Sequence, residues 1–222
     1  SAYIEKAKIL EKVKKYKDAL ENYKISLQLS EPNSYIFFRI SKCYKKLNNK
    51  KLFIEFIKKA LREEPGNEKA WIYLIKFYLK KNNLRQSRYL AKKALDNNHN
   101  SIKIIELNAI ISMFIGNTIE AIRHYKEIID IQENQSWRIW KSLLKCVLEI
   151  EEWSELLRLS LRAKKYFPNK SFLDFTISGC LLKDGKLNEA IYFYQSGSKS
   201  SKIPSKLRKF FPEFTDNKAL LI

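Results

Sequence analysis

Apolar residues return along this chain in blocks of fixed length. Ala60, Ala94 and Ile128 lie 34 residues apart, each followed by an aliphatic residue, and Ala163 follows after 35. The breakers keep the same phase. Pro65 and Pro168 stand five residues after Ala60 and Ala163, while Gly116 and Gly185 stand five residues before Ala121 and Ala190. Between these markers the apolar positions have helical rather than alternating spacing. The segments Tyr16-Lys17-Asp18-Ala19-Leu20-Glu21-Asn22-Tyr23 and Asp184-Gly185-Lys186-Leu187-Asn188-Glu189-Ala190-Ile191-Tyr192-Phe193-Tyr194 share one shape. The pattern predicts helix pairs in series, each leaving an apolar face for the next pair to cover.

The period, the small residues and the aromatic positions resemble the tetratricopeptide repeat, a helix–turn–helix unit of about 34 residues. Six copies can be placed, at about 1–33, 34–67, 68–101, 102–136, 137–170 and 171–204, with 205–222 left as a capping segment or tail. The register is carried by Ala7, Tyr16, Ala19 and Tyr23; by Phe37, Ile40, Ser41, Tyr44, Ala60 and Pro65; and by Trp71, Leu74, Tyr78 and Ala94. It continues through Ile105, Ala109, Gly116, Ala121 and Tyr125; Trp140, Leu143, Trp153, Ala163 and Pro168; and Ile177, Ser178, Gly185, Leu187, Ala190 and Tyr194. Phe53, Ser87, Leu156, Asn108 and Gly197 depart from the family's preferences. The resemblance implies an all-α fold, a right-handed α-solenoid of helix–turn–helix repeats. Leu207, Phe210 and Phe211 are expected to cap the last repeat. The alternative has Phe214, Leu220, Leu221 and Ile222 docking on another molecule or in the groove.

The resemblance also implies a concave groove lined by the first helix of each pair. Its residues here are Tyr35, Phe38, Lys42, Lys45 and Lys46; Lys69, Ile72, Tyr73, Lys76 and Lys80; Lys103, Ile110, Met113 and Phe114; and Arg138, Lys141 and Lys145. Across the second to fifth copies the mapped positions hold ten basic residues and two acidic ones, Glu106 and Glu149. The expected ligand is an acidic peptide or protein segment with hydrophobic anchors, held by charge steering and a few buried side chains. The competing explanation is lysine scattered over whichever face meets solvent. The apolar stretch 102–115 reads equally as a hydrophobic binding spot or as a covered surface. A chaperone-tail receptor of the Hsp70/Hsp90 type is excluded by Phe38, Tyr73 and Leu107, which stand where its carboxylate clamp needs polar side chains.

Composition narrows the function further. The chain has 222 residues with only five Gly and five Pro, too few turn formers for a β-sandwich or barrel. No apolar run is long enough for a transmembrane helix. The formal charge is +19. Lysine outnumbers arginine 34 to 9, and Lys, Ile and Asn together fill about a third of the chain, as an A/T-rich genome would favour. Arginine's bidentate fork is the usual tool for phosphate, so RNA binding by a pentatricopeptide-like repeat is the runner-up and protein binding leads. A regulatory domain of a larger enzyme is a third reading. Cys43, Cys146 and Cys180 show no C-x-x-C spacing and read as small core residues, which favours a reducing, cytoplasmic setting over an envelope one. No catalytic, cofactor or metal motif occurs, and the two histidines, His99 and His124, cannot build a triad. No enzyme activity is expected.

Overall fold

The computed structural model describes residues 2–31, 33–199 and 201–211. Within them lie twelve α-helices, one short 3-10 helix and no strand. The helices pair in chain order: α1 (Ala2–Lys12) with α2 (Tyr16–Leu29), α3 (Ser34–Lys46) with α4 (Lys50–Glu63), and α5 (Glu68–Lys80) with α6 (Leu84–Asn97). Then come α7 (Ile102–Phe114), packed on α6, and α8 (Thr118–Ile131), packed on α9 (Trp137–Glu149); α9 also packs on α10 (Trp153–Tyr166), and α11 (Ser171–Lys183) pairs with α12 (Leu187–Ser198). The 3-10 helix covers Ser205–Phe210. First helices therefore begin at Ser34, Glu68, Ile102, Trp137 and Ser171, the spacing anticipated from the apolar pattern. The fold is an all-α helical repeat.

The repeat is written in the backbone as well. The turn after each odd-numbered helix contains one residue with positive φ: Lys14, Asn48, Asn82, Gly116, Glu151 and Gly185, at 55° to 77°. In four of these turns the next N–H reaches back five residues, as in Lys15 to Leu10, Asn49 to Tyr44, Asn83 to Tyr78 and Lys186 to Leu181, at 2.9–3.0 Å. This is the helix-ending motif that satisfies the last carbonyls. Asparagine has an equally regular task. Asn33, Asn49, Asn67, Asn83 and Asn117 each cap a helix, their side-chain oxygens accepting from the N–H of Ile36, Leu52, Ala70, Gln86 and Glu120. Each cap of this kind contributes on the order of 1 kcal/mol.

The chain divides into two compact units, Ser1–Ile115 and Gly116–Ile222. The cut falls at the turn between α7 and α8. In the first unit Ala7, Ala19, Ala60, Ala91 and Ala94 are fully buried, so that backbones approach closely, while Tyr23, Phe53, Ile57 and Trp71 fill the seams. The Trp71 indole N–H donates to the Pro65 carbonyl at 2.7 Å, tying a first helix to the turn before it. Phe53 stands where the family prefers a small residue. It is fully buried, with its ring 4.7 Å from that of Phe77. Asn108, polar in an apolar helix, is satisfied by donating to the carbonyls of Ala91 at 3.1 Å and Ile104 at 3.0 Å.

The second unit repeats the logic. Trp140 donates to the Glu133 carbonyl at 3.3 Å, and Ser178 to the Ala190 carbonyl at 2.7 Å. Gly197 is buried where α12 crosses α11: a Cβ there would lie 3.1 Å from the Asp174 Cβ and 3.2 Å from the Phe175 ring. Past α12, Leu207 and Phe211 are buried, and the Phe211 ring sits 5.3 Å from Tyr194 and 6.3 Å from Phe175. The docking alternative for Phe214, Leu220, Leu221 and Ile222 lies outside the described residues. Cys43, Cys146 and Cys180 are all buried cysteines; burial pushes the thiols of Cys43 and Cys180 up to about 12, far from the reactive range.

Candidate protein-interaction face

In the first unit, α3 and α5 bring several of the expected groove residues together. Phe38 of α3 and Tyr73 of α5 meet edge to face with ring centres 5.7 Å apart. The ammonium of Lys45 lies over both Tyr73, at 3.9 Å, and Phe53, at 5.5 Å. Helical spacing puts Lys42, Lys45 and Lys46 along one side of α3, and Tyr73, Lys76 and Lys80 along one side of α5. Burial, and then the charges of Lys80, Lys46 and Lys76, lower the pKa of Lys45. The four lysines therefore share one field, and among the described residues none of them forms an ion pair with a carboxylate. Burial raises the pKa of the Tyr73 phenol, which remains a neutral donor beside them. Lys46, Lys76 and Lys80 are exposed, whereas Phe38, Ile72 and Tyr73 are half-buried. Such a surface offers cations at its rim and aromatic edges at its floor.

Toward α1 the face changes character. Tyr35 is exposed, flanked by Lys8 at 5.4 Å and Arg39 at 5.9 Å. Glu11, on α1, takes the Arg39 Nε at 2.8 Å and stands 3.9 Å from the Lys42 ammonium. The buried Tyr23 hydroxyl donates to the same carboxylate at 2.8 Å and accepts from Arg39 at 3.0 Å. Burial drives the Tyr23 phenol far above its ordinary range. Lys42 is thus already paired within the chain. Lys69 and Lys103 are exposed, and Lys103 lies 3.8 Å from Glu68. On α7, Ile104, Ile105, Leu107 and Ile111 are core, Ile110 and Met113 are half-buried, and Phe114 is 65% exposed.

The second unit carries its own basic and aromatic set on α9 and α11. Arg138 and Lys145 are exposed, and Lys141 lies 5.9 Å from the Phe172 ring. Trp137 meets Phe167 at a tilt and Phe172 edge-on, at 5.5 and 6.0 Å, with the Lys170 ammonium 6.0 Å from its ring. Sequence reasoning missed Trp137, Arg39 and Glu11. The map counted only positions that the repeat turns toward the groove, and it gave α1 no groove residues at all.

Among the described residues no group of three or more His, Cys, Asp or Glu side chains could hold a metal ion, and no helix is long and apolar enough to cross a membrane. His124 is buried on α8, its Nδ1 3.4 Å from Glu127, and burial followed by the Arg123 charge lowers its pKa.

Residues 34–67, the pair α3–α4, match the tetratricopeptide repeat family model. Solved structures share the fold across most of the chain. YrrB, described as a TPR protein with an unusual peptide-binding site, aligns with a TM-score of 0.65 at 10% identity, over 84% of this chain and 96% of its own. PilF of Pseudomonas aeruginosa aligns at 0.61 and 11% identity, over 96% of each chain. MamA aligns at 0.60 and 13%, over 84% of this chain and 97% of its own. No curated protein matches the sequence. The chain therefore has an all-α helical-repeat fold of the tetratricopeptide type, with residues 34–67 matching the family in sequence as well. Proteins of this fold are typically protein-interaction scaffolds.

Proposed function

We propose that this protein is a non-catalytic scaffold that binds an acidic, amphipathic segment of a partner protein on the first-helix face of α3 and α5. The observation that carries the reading is the Lys45 ammonium seated over Tyr73 and surrounded by the charges of Lys46, Lys76 and Lys80. A carboxylate arriving there relieves repulsion among cations, and an apolar neighbour on the ligand covers Phe38, Ile72 and Tyr73. Both gains appear only in the complex, which is what favours binding. The cations and half-buried rings of α9 and α11 offer the same chemistry in the second unit, with Arg138, Lys141 and Lys145 as its basic members. The flexible point charges of lysine suit carboxylates spread along a segment better than a bidentate phosphate contact.

The test is a fluorescence titration with a labelled peptide of alternating Glu and Phe, against wild type and a Lys45→Glu/Lys76→Glu double variant. The double variant weakens binding about tenfold or more. Equal affinities for the two proteins remove this face from the function. Tighter binding of unstructured RNA than of the peptide near physiological salt favours the pentatricopeptide-like alternative.

A further inference from the structure

We infer that Glu11 is an internal occupant of the basic face: it holds Arg39 and Lys42, so that a partner's acidic residues are confined to the end formed by Lys45, Lys46, Lys76 and Lys80. This rests on the reading that α3 and α5 bind an acidic segment. Glu11 is only 10% exposed in its side chain, yet it belongs to α1 while its cationic partners belong to α3. Its carboxylate is fixed by Arg39 at 2.8 Å and by the fully buried Tyr23 hydroxyl at 2.8 Å, with Lys42 at 3.9 Å. The pairing is already organised and desolvated, so an external carboxylate gains little by displacing it. One that approaches Arg39 or Lys42 also meets the Glu11 charge, and like charges at close range disfavour each other. Among the described residues, Lys45, Lys46, Lys76 and Lys80 have no such ion-pair partner.

Glu11 therefore gives the face a direction. The end near Tyr35 and Phe38 presents rings and two cations that share the one Glu11 carboxylate, so its charge is reduced and it suits apolar or uncharged ligand residues better than the other end does. The end near Lys80 presents uncompensated charge and suits acids. A ligand that is acidic throughout is handicapped by Glu11, and one with an acidic end and an apolar end is not. Glu11 is in this sense a specificity-determining residue rather than a binding one.

The experiment titrates a fluorescein-labelled all-glutamate peptide into wild type, Glu11→Gln, Lys76→Glu and Lys42→Gln, alone and combined with Glu11→Gln, with a thermal melt on each protein. Glu11→Gln retains an acceptor for Tyr23 and Arg39 but loses the charge. It tightens the peptide about three- to tenfold and steepens the salt dependence. Lys42→Gln then costs more affinity in the Glu11→Gln background than in wild type. Unchanged or weaker binding by Glu11→Gln, with Lys76→Glu still harmful, overturns the role of Glu11 and leaves the proposed face standing. A gain from Glu11→Gln with no effect of Lys76→Glu keeps Glu11 as occupant and overturns the placement of acids on α5. No binding by either wild type or Glu11→Gln overturns both. Where Glu11→Gln fails to fold, wild type decides alone: Lys42→Gln must cost less affinity than Lys76→Gln, and a larger loss at Lys42 contradicts the inference.

Discussion

The Lys45 ammonium lies 3.9 Å from the centre of the Tyr73 ring, joining α3 to α5 through a cation held over an aromatic face. The contact is favourable, on the order of 0.5–2 kcal/mol. The surroundings oppose it, because burial and three neighbouring lysines lower the pKa of Lys45. A lysine whose folded pKa lies below its unfolded value makes the charged folded state the costly one. That cost is fully present below the folded pKa, and it is relieved as pH rises from there toward the ordinary lysine range. Lys45→Met keeps an unbranched chain and a polarisable atom over the ring. It is expected to raise stability by a few tenths to about 1 kcal/mol in urea unfolding at neutral pH, while weakening the acidic peptide. A variant that loses stability and keeps its affinity contradicts the assignment of this lysine to binding.

The six left-handed turn residues make a second prediction. Lys14 adopts φ 63° without the excuse of glycine, and the equivalent place in the last pair is Gly185 at 72°. A non-glycine residue there costs about 1–2 kcal/mol, offset in part by the greater unfolded-state freedom of glycine. Lys14→Gly is expected to stabilise by about 0.5–1 kcal/mol, and Gly185→Ala to destabilise by about 1 kcal/mol, both read by urea unfolding. Opposite signs would mean that the turn does not set the pair geometry.

Much of this architecture is legible in the sequence. Helix starts follow the 34-residue spacing of Ala60, Ala94 and Ile128 because the same fully buried apolar position recurs in each second helix. The left-handed turns are signalled by glycine at Gly116 and Gly185 and, more weakly, by asparagine at Asn48 and Asn82. Lys14 and Glu151 occupy the same conformation with residues that do not advertise it. Asparagine, read from composition as codon bias, turned out to cap five helices. Of the candidate site, Phe38, Lys45 and Tyr73 were named by register alone, and they do meet. Glu11 escaped because pairing between α1 and α3 depends on side-chain reach across two helices, which no periodicity encodes.

Close approach is tested at Gly197. Its missing Cβ leaves room for Asp174 and Phe175, with contacts of 3.1 and 3.2 Å awaiting any larger residue. Alanine gains about 1 kcal/mol of helix propensity, but it crowds the Asp174 Cβ and the Phe175 ring, which must give by a few tenths of an ångström in a packed core. Gly197→Ala is expected to cost a net 1 kcal/mol or so in thermal unfolding. Gly66→Ala, where nothing lies within 4 Å, should be neutral or slightly stabilising. Equal effects at the two sites would contradict the packing account.

Acid stability is tested at Glu155. Arg158 holds its carboxylate at 2.7 Å and Lys126 at 2.6 Å. The hydrogen bond from Arg158, with support from Lys126, brings its pKa down to about 2 against the opposing effect of burial. A depressed carboxylate pKa contributes stability that is present above the unfolded value of 4.5 and is lost as pH falls toward 2. Glu155→Gln is therefore expected to lower stability at pH 7 by about 1 kcal/mol, after allowance for its partial exposure. It should also flatten the decline between pH 5 and pH 2, compared by urea midpoints across that range. A variant as acid-sensitive as wild type would remove Glu155 from the acid limb.

The central claim is that a partner's acidic segment lies on the first-helix face of α3 and α5. It is tested most directly by where a bound ligand touches the protein. A photo-crosslinking residue placed at Ile72, half-buried beside Tyr73, can be compared with one at Lys92, exposed on the second helix α6. With the alternating Glu–Phe peptide, the account predicts strong crosslinking from position 72, suppressed by Lys45→Glu/Lys76→Glu, and little from position 92. Crosslinking mainly from position 92, or from position 72 without regard to the two lysines, would contradict it.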